Sequence, residues 1–171
     1  MPPRSTSAMF RDLTQSRRSI RDFAPTPVDE SLVTELIDEA LSAPSWSNTR
    51  PYRVAVATGE VKDRISAALV ARFDDIMRAR SHKFTTRLKG LVSALTLLRS
   101  DFRIPVSYPD DLRRRQVDLA KALYGHLGIA RGDIAGRNEQ IRRNMEFFGA
   151  PVGLFIFARK GMGVYSALDA G

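Results

Sequence analysis

Phe147-Phe148-Gly149-Ala150-Pro151-Val152-Gly153-Leu154-Phe155-Ile156-Phe157-Ala158 is the stretch that decides the architecture. From Val152 to Ala158 the chain is almost continuously apolar, as a central strand buried on both faces requires. The other segment that reads as a strand is Arg53-Val54-Ala55-Val56-Ala57-Thr58, stopped by Gly59. Phe147, Phe148, Phe155 and Phe157 read as core side chains. Two strands alone do not make a stable sheet, so further strands or a partner are expected to complete it.

Outward from this stretch the periodicity is helical. Residues 8–16 predict a short helix. Pro25 and Pro27 then hold an extended connector. Asp29 is a good N-cap for a helix ending at Pro44, with Leu32, Val33, Leu36, Ile37, Ala40 and Leu41 as its apolar stripe. Val28 is placed to staple onto Val33. Residues 60–80 read as a helix through Val61, Ile65, Leu69 and Phe73. Leu88, Leu91, Val92, Leu95 and Leu98 suggest another helix, followed by a loop between Pro105 and Pro109. Asp110 or Asp111 is expected to cap a helix carrying Val117, Ala120, Leu123, Tyr124 and Leu127, closed by Gly128. Residues 133–148 read as helical. Tyr165 to Gly171 read as the start of one more helix.

The composition narrows the function. The chain has 171 residues, enough for one domain with a real core, and 43% of them are apolar. It contains no cysteine, which excludes disulfides, thiolate metal sites and a cysteine nucleophile. Its two histidines, His82 and His126, are far apart, so a histidine zinc site is not expected. The first residues lack the apolar core of a signal peptide. No apolar run is long enough to span a membrane, so the expected location is the cytoplasm. The net charge of +8 is spread beyond Thr58 and does not form a tail. Such a balance is compatible with nucleic acid, with phosphate-bearing nucleotides, or with an ordinary soluble surface. No helix-turn-helix, RRM or OB pattern accompanies it, so no nucleic-acid partner is expected.

Two segments could carry chemistry. Arg17-Arg18-Ser19-Ile20-Arg21 gathers guanidiniums and a hydroxyl, the donors a phosphate dianion needs. In an extended chain, Arg17, Ser19 and Arg21 share one side. A solvated basic turn is the plainer reading of the same residues. Pro44-Ser45-Trp46-Ser47-Asn48-Thr49-Arg50-Pro51 holds the single tryptophan and an asparagine that both donates and accepts, as a pyrimidine edge requires. A turn around a core tryptophan would look alike. Gly161-Met162-Gly163 reads as a turn and not as a dinucleotide fingerprint. Asp169 could cap, pair or have no role. No catalytic triad or carboxylate pair is present, so difficult chemistry would have to come from a cofactor.

Taken in order, four segments resemble the FMN-dependent nitroreductase family. They are Arg17–Phe23, Ala43–Tyr52, Arg143–Leu154, and Gly161-Met162-Gly163 with Asp169 and Gly171. The resemblance implies an α+β fold, with helices around a central, mainly antiparallel sheet. It takes residues 1–171 as a nitroreductase-like domain amounting to about three-quarters of the family fold. A core helix, strands and a C-terminal extension are expected to follow Gly171. The resemblance also implies a homodimer, with FMN bound at the interface by residues of both subunits. Arg17, Arg18 and Ser19 would hold the FMN phosphate, and Arg21 would lie near the N1–O2 edge of the flavin. Ser45, Trp46 and Asn48 would line the ring, with Pro44 shaping the turn. The implied reaction is ping-pong: NAD(P)H reduces the flavin at N5, and a nitroaromatic, quinone or similar small oxidant takes the electrons. Arg50 and Tyr52 depart from the glutamine and tryptophan usual in the family. The competing reading is an inactive remnant that binds flavin weakly or acts only through protein contacts.

Overall fold

The computed structural model of the chain describes residues 5–79 and 107–171. Both expected strands form, as β1 (Tyr52–Thr58) and β2 (Val152–Ala158). They pair antiparallel, with Tyr52 opposite Ala158 and Thr58 opposite Val152. The ladder runs one step further, where the Arg159 N–H donates to the Pro51 carbonyl at 3.0 Å. Because side chains alternate along a strand, this register puts Ala55, Ala57, Gly153, Phe155 and Phe157 on one face. Val54, Val56, Leu154 and Ile156 lie on the other.

Helix α3 (Gly59–Ala79) follows β1 directly and packs against both strands. Gly153 is buried beneath this contact, and a Cβ there would meet the Phe155 ring at 3.4 Å and the Lys62 side chain at 3.9 Å, ordinary contact distances. Lys62 Nζ donates to the Ala150 carbonyl at 3.2 Å, and Ser66 Oγ donates to the Met145 carbonyl at 3.0 Å. These bonds tie α3 to the chain that leads into β2. The buried apolar residues among those described are Ala57 on β1 and Phe73 on α3. Phe147, Phe148 and Phe155 are half-buried, and Phe147 meets Phe155 edge to face with centroids 5.8 Å apart. Phe157 departs from its expected place in the core, being 58% exposed. Its end of β2 has β1 on one edge, and no described element covers the ring.

The remaining helices are α1 (Thr6–Ser16), α2 (Glu30–Leu41), α4 (Asp110–His126), α5 (Ile134–Met145) and α6 (Gly163–Ala170). Asp29 caps α2 as expected. Its carboxylate accepts from the Ser31 hydroxyl at 2.7 Å and the Ser31 N–H at 2.8 Å, and these bonds hold it below the usual carboxylate range. Helix α4 starts directly after Pro109 with no side-chain cap, while Asp110 and Asp111 occupy its first turn. There they complement the helix dipole instead of capping it. The helix ends before Gly128 (φ 69°), as expected. The helix expected over 133–148 stops at Met145, because Phe147 and Phe148 turn left-handed (φ 52° and 53°) in a 3-10 turn, Phe147–Gly149. The helix suggested around Leu88–Leu98 and the Pro105 loop lie outside the described residues. Among the described residues no helix is long and apolar enough to cross a membrane.

Candidate functional site

The Pro44–Pro51 segment folds into a 3-10 turn, Trp46–Asn48. Ser47, Asn48 and Arg50 all take left-handed φ, at 51°, 53° and 41°. Side chains with a Cβ rarely adopt this region, so something must hold the turn. Part of the answer is local. Asn48 N–H donates to the Ser45 carbonyl at 2.9 Å, and Thr49 N–H and Oγ1 donate to the Trp46 carbonyl at 3.1 and 3.0 Å. Ser45 Oγ accepts from the Arg50 N–H at 2.9 Å, so this hydroxyl braces the turn and keeps its own proton to donate. The rest comes from α6. The Asp169 carboxylate accepts from the Trp46 N–H at 3.1 and 3.2 Å through its two oxygens. The Tyr165 ring stacks on the indole, with centroids 4.8 Å apart and planes at 22°. Trp46 is nonetheless 62% exposed, which removes the alternative of a core tryptophan. The Asn48 amide has no hydrogen-bond partner among the described residues and is open to a ligand.

The basic segment leaves the end of α1 without regular secondary structure. Arg18 folds back, its Nη1 donating to the Gln15 carbonyl at 2.6 Å and the Arg17 carbonyl at 2.9 Å. A cation there satisfies carbonyls that the helix end leaves unpaired. Arg17 and Arg21 have no acidic partner among the described residues. Arg17 and Ser19 are exposed, and Arg21 is half-buried. The segment is anchored just beyond, where Asp22 Oδ1 accepts from Arg143 Nη2 at 2.7 Å. The Phe23 N–H donates to the Phe148 carbonyl at 3.1 Å.

The four segments singled out in the sequence are therefore joined in two pairs. The basic segment docks on the chain before β2, and the tryptophan turn docks on α6. Among the described residues no hydrogen bond, ion pair or ring contact joins Arg17–Arg21 to Pro44–Asn48 within one chain. Tyr165 was missed as a partner, and Asp169 was left open between capping, pairing and no role. The only signal available for them was their spacing of four, which puts a ring and a carboxylate on one helix face. Beside the turn lies a cavity of about 640 Å³, lined by Arg50, Arg53 and Arg159 together with Tyr52, Phe157 and Met162, and by no carboxylate.

The Nitroreductase family profile matches residues 14–171. The chain is 36% identical over 167 residues to a 4-nitrobenzoate reductase of Pseudomonas putida, covering 95% of this chain and 63% of that protein. It is 34% identical over 149 residues to a nitrobenzene nitroreductase of Ectopseudomonas oleovorans, covering 87% of this chain and 58% of that one. The chain thus spans roughly 60% of the length of such curated relatives. Among solved structures it resembles the FMN-dependent nitroreductase NfnB of Mycobacterium smegmatis in complex with NADPH. The TM-score is 0.78 and the identity 28%, with 98% of this chain and 67% of that chain covered. With its fold, its four ordered segments and these matches, the chain belongs to the nitroreductase family.

Proposed function

We propose that the chain contributes the FMN-binding part of an NAD(P)H-dependent oxidoreductase acting on nitroaromatic or similar small acceptors. The observation that carries this reading is the Trp46–Asn48 turn. It is a strained backbone, braced from outside, that presents an unpartnered amide and an exposed indole. Strain of this kind persists where the surroundings over-determine it, and it gathers at binding sites.

The residues fit FMN. A phosphate dianion calls for cations not already neutralised, and Arg17 and Arg21 meet that condition among the described residues. Arg18 keeps its Nε and Nη2 donors, and Ser19 offers a hydroxyl. An isoalloxazine edge calls for an amide and hydroxyl donors. Asn48 and the Ser45 proton supply them, with Trp46 as an apolar wall and Pro44 before the turn. Bound FMN would supply the electron transfer between NAD(P)H and the acceptor, in ping-pong order. The chain's own residues bind it, orient it and set the charge around it. Arg21, beside the flavin edge, would favour negative charge there. The arginine-lined cavity adds positive potential that would draw a phosphate-bearing nicotinamide nucleotide.

The separation of Arg17–Arg21 from Pro44–Asn48 within one chain supports a site assembled from two copies. Met9, Phe10 and Leu13 on α1 are 60%, 67% and 70% exposed, which offers apolar surface for such a partner. The whole-protein reading is a cytoplasmic homodimer in which residues 1–171 make up about three-quarters of the nitroreductase-like fold. FMN titration of the purified chain tests it, followed by NADH and NADPH oxidation with and without 4-nitrobenzoate. Saturable FMN uptake with acceptor-dependent oxidation is expected. A chain that takes no FMN would remove the proposal in favour of the remnant reading.

A further inference from the structure

We infer that Tyr165 and Asp169 are positioning residues, which hold the Trp46–Asn48 turn in the shape that the flavin ring needs. The inference rests on the proposed flavin reading for its purpose, but its physical basis is independent of that reading. Ser47, Asn48 and Arg50 are non-glycine residues in left-handed backbone, so the isolated segment would prefer other conformations. The bonds inside the segment close the turn but do not fix it to the protein. Beyond the backbone bond from Arg159 N–H to Pro51, the side chains that hydrogen-bond or stack on the segment from the rest of the fold, among the described residues, are two, and both come from α6. Asp169 grips the Trp46 N–H with both carboxylate oxygens, and Tyr165 stacks on the indole. The two lie four residues apart, so one helix face presents ring and carboxylate together.

The two contacts act on different degrees of freedom. The carboxylate fixes the peptide that opens the turn, and the bond is charge-assisted, hence stronger than a neutral one. The tyrosine fixes the indole plane and leaves the other indole face for a ligand. Helix α6 is itself steadied at its start, where the buried Ser166 hydroxyl donates to the Gly163 carbonyl at 2.8 Å. The attachment spans 123 residues of sequence, so the ring-binding turn takes its shape from the far end of the described chain.

Trp46 is the only tryptophan, so its near-UV circular dichroism and emission report the turn directly. In the 1–171 chain, Asp169→Ala is expected to lose the tryptophan dichroism while far-UV signal and Tm change little. Asp169→Asn keeps one acceptor oxygen and should retain most of the band. Tyr165→Phe should resemble the parent, and Tyr165→Ala should lose the band. FMN titration should show Asp169→Ala weaker by roughly tenfold or more, because only chains with a formed turn bind. Should Asp169→Ala lose its helical signal, Tyr165→Ala carries the test, since it leaves the Asp169 bonds in place. An unchanged tryptophan band in both alanine variants overturns the inference. So does a lost band with parental FMN affinity. A parent chain that takes no FMN overturns the flavin reading and the purpose assigned to the clamp, while the band alone then decides whether α6 holds the turn.

Discussion

Arg17 and Arg18 are adjacent in the chain, but their guanidiniums meet different surroundings. Arg18 lies against the carbonyls at the end of α1, and Arg17 faces solvent without an acidic partner among the described residues. Replacing each by alanine should separate the two roles. Arg17→Ala is expected to weaken FMN binding roughly tenfold to a hundredfold, the worth of a charge-assisted hydrogen bond, with little change in Tm. Arg18→Ala should lower Tm through the frayed end of α1 and affect FMN less. Titration and melting of both variants side by side checks this, and equal effects in the two assays would erase the distinction. These arginines and the tryptophan turn could be singled out as candidates in the sequence because their side-chain types match a chemistry within a few residues. Asp169 was not legible. Its partner is a backbone N–H 123 residues away, and a backbone donor leaves no mark on residue type.

Elements whose signals are local came through well. The apolar run of β2, the Asp29 cap and the Gly128 stop each arise from neighbours in sequence, and each appears in place. Strand β2, however, with Leu154, Ile156 and Phe157 exposed and β1 as its neighbour among the described residues, is not the strand buried on both faces that its run implies. The approach to β2 was misread because Phe147 and Phe148 are ordinary helix-compatible residues that tertiary contact forces into left-handed backbone. The tertiary contact at this turn is the basic segment, whose Phe23 N–H binds the Phe148 carbonyl while Asp22 pairs with Arg143. Gly149 completes this junction at φ 79°, and a Cβ there would lie 3.4 Å from the Phe23 carbonyl oxygen. Gly149→Ala should therefore strain the backbone, with its Cβ in ordinary contact with the docked segment. The expected loss is about 1–2 kcal/mol in urea unfolding, from the left-handed conformation alone. Alanine at the exposed Gly161 (φ 91°), with nothing near its Cβ, shares the strain but not the contact and makes the control.

Among the described residues the apolar surface and the core are out of proportion. The buried apolar residues among those described are Ala57 and Phe73. Meanwhile Leu13, Val164 and Leu168 are 70%, 66% and 73% exposed, and Leu154, Ile156 and Phe157 are each more than half exposed. Covering one such side chain fully is worth about 1.5–3 kcal/mol, against a typical net stability of about 5–15 kcal/mol for a domain. Apolar surface on this scale favours association. If a second copy covers part of it and the flavin site draws on both copies, binding and assembly are coupled, and the coupling must be reciprocal. Sedimentation equilibrium of the chain across a concentration series should then show a dimer whose dissociation constant falls when FMN is added. Leu13→Glu on α1 should weaken the dimer and, through the coupling, weaken FMN binding as well, although Leu13 lies outside the segments assigned to the flavin. FMN binding at one strength to a monomer, or a dimer indifferent to FMN, would show that each site is built within a single chain. Arg17–Arg21 and Pro44–Asn48 would then have to come together by a rearrangement of the two docked pairs.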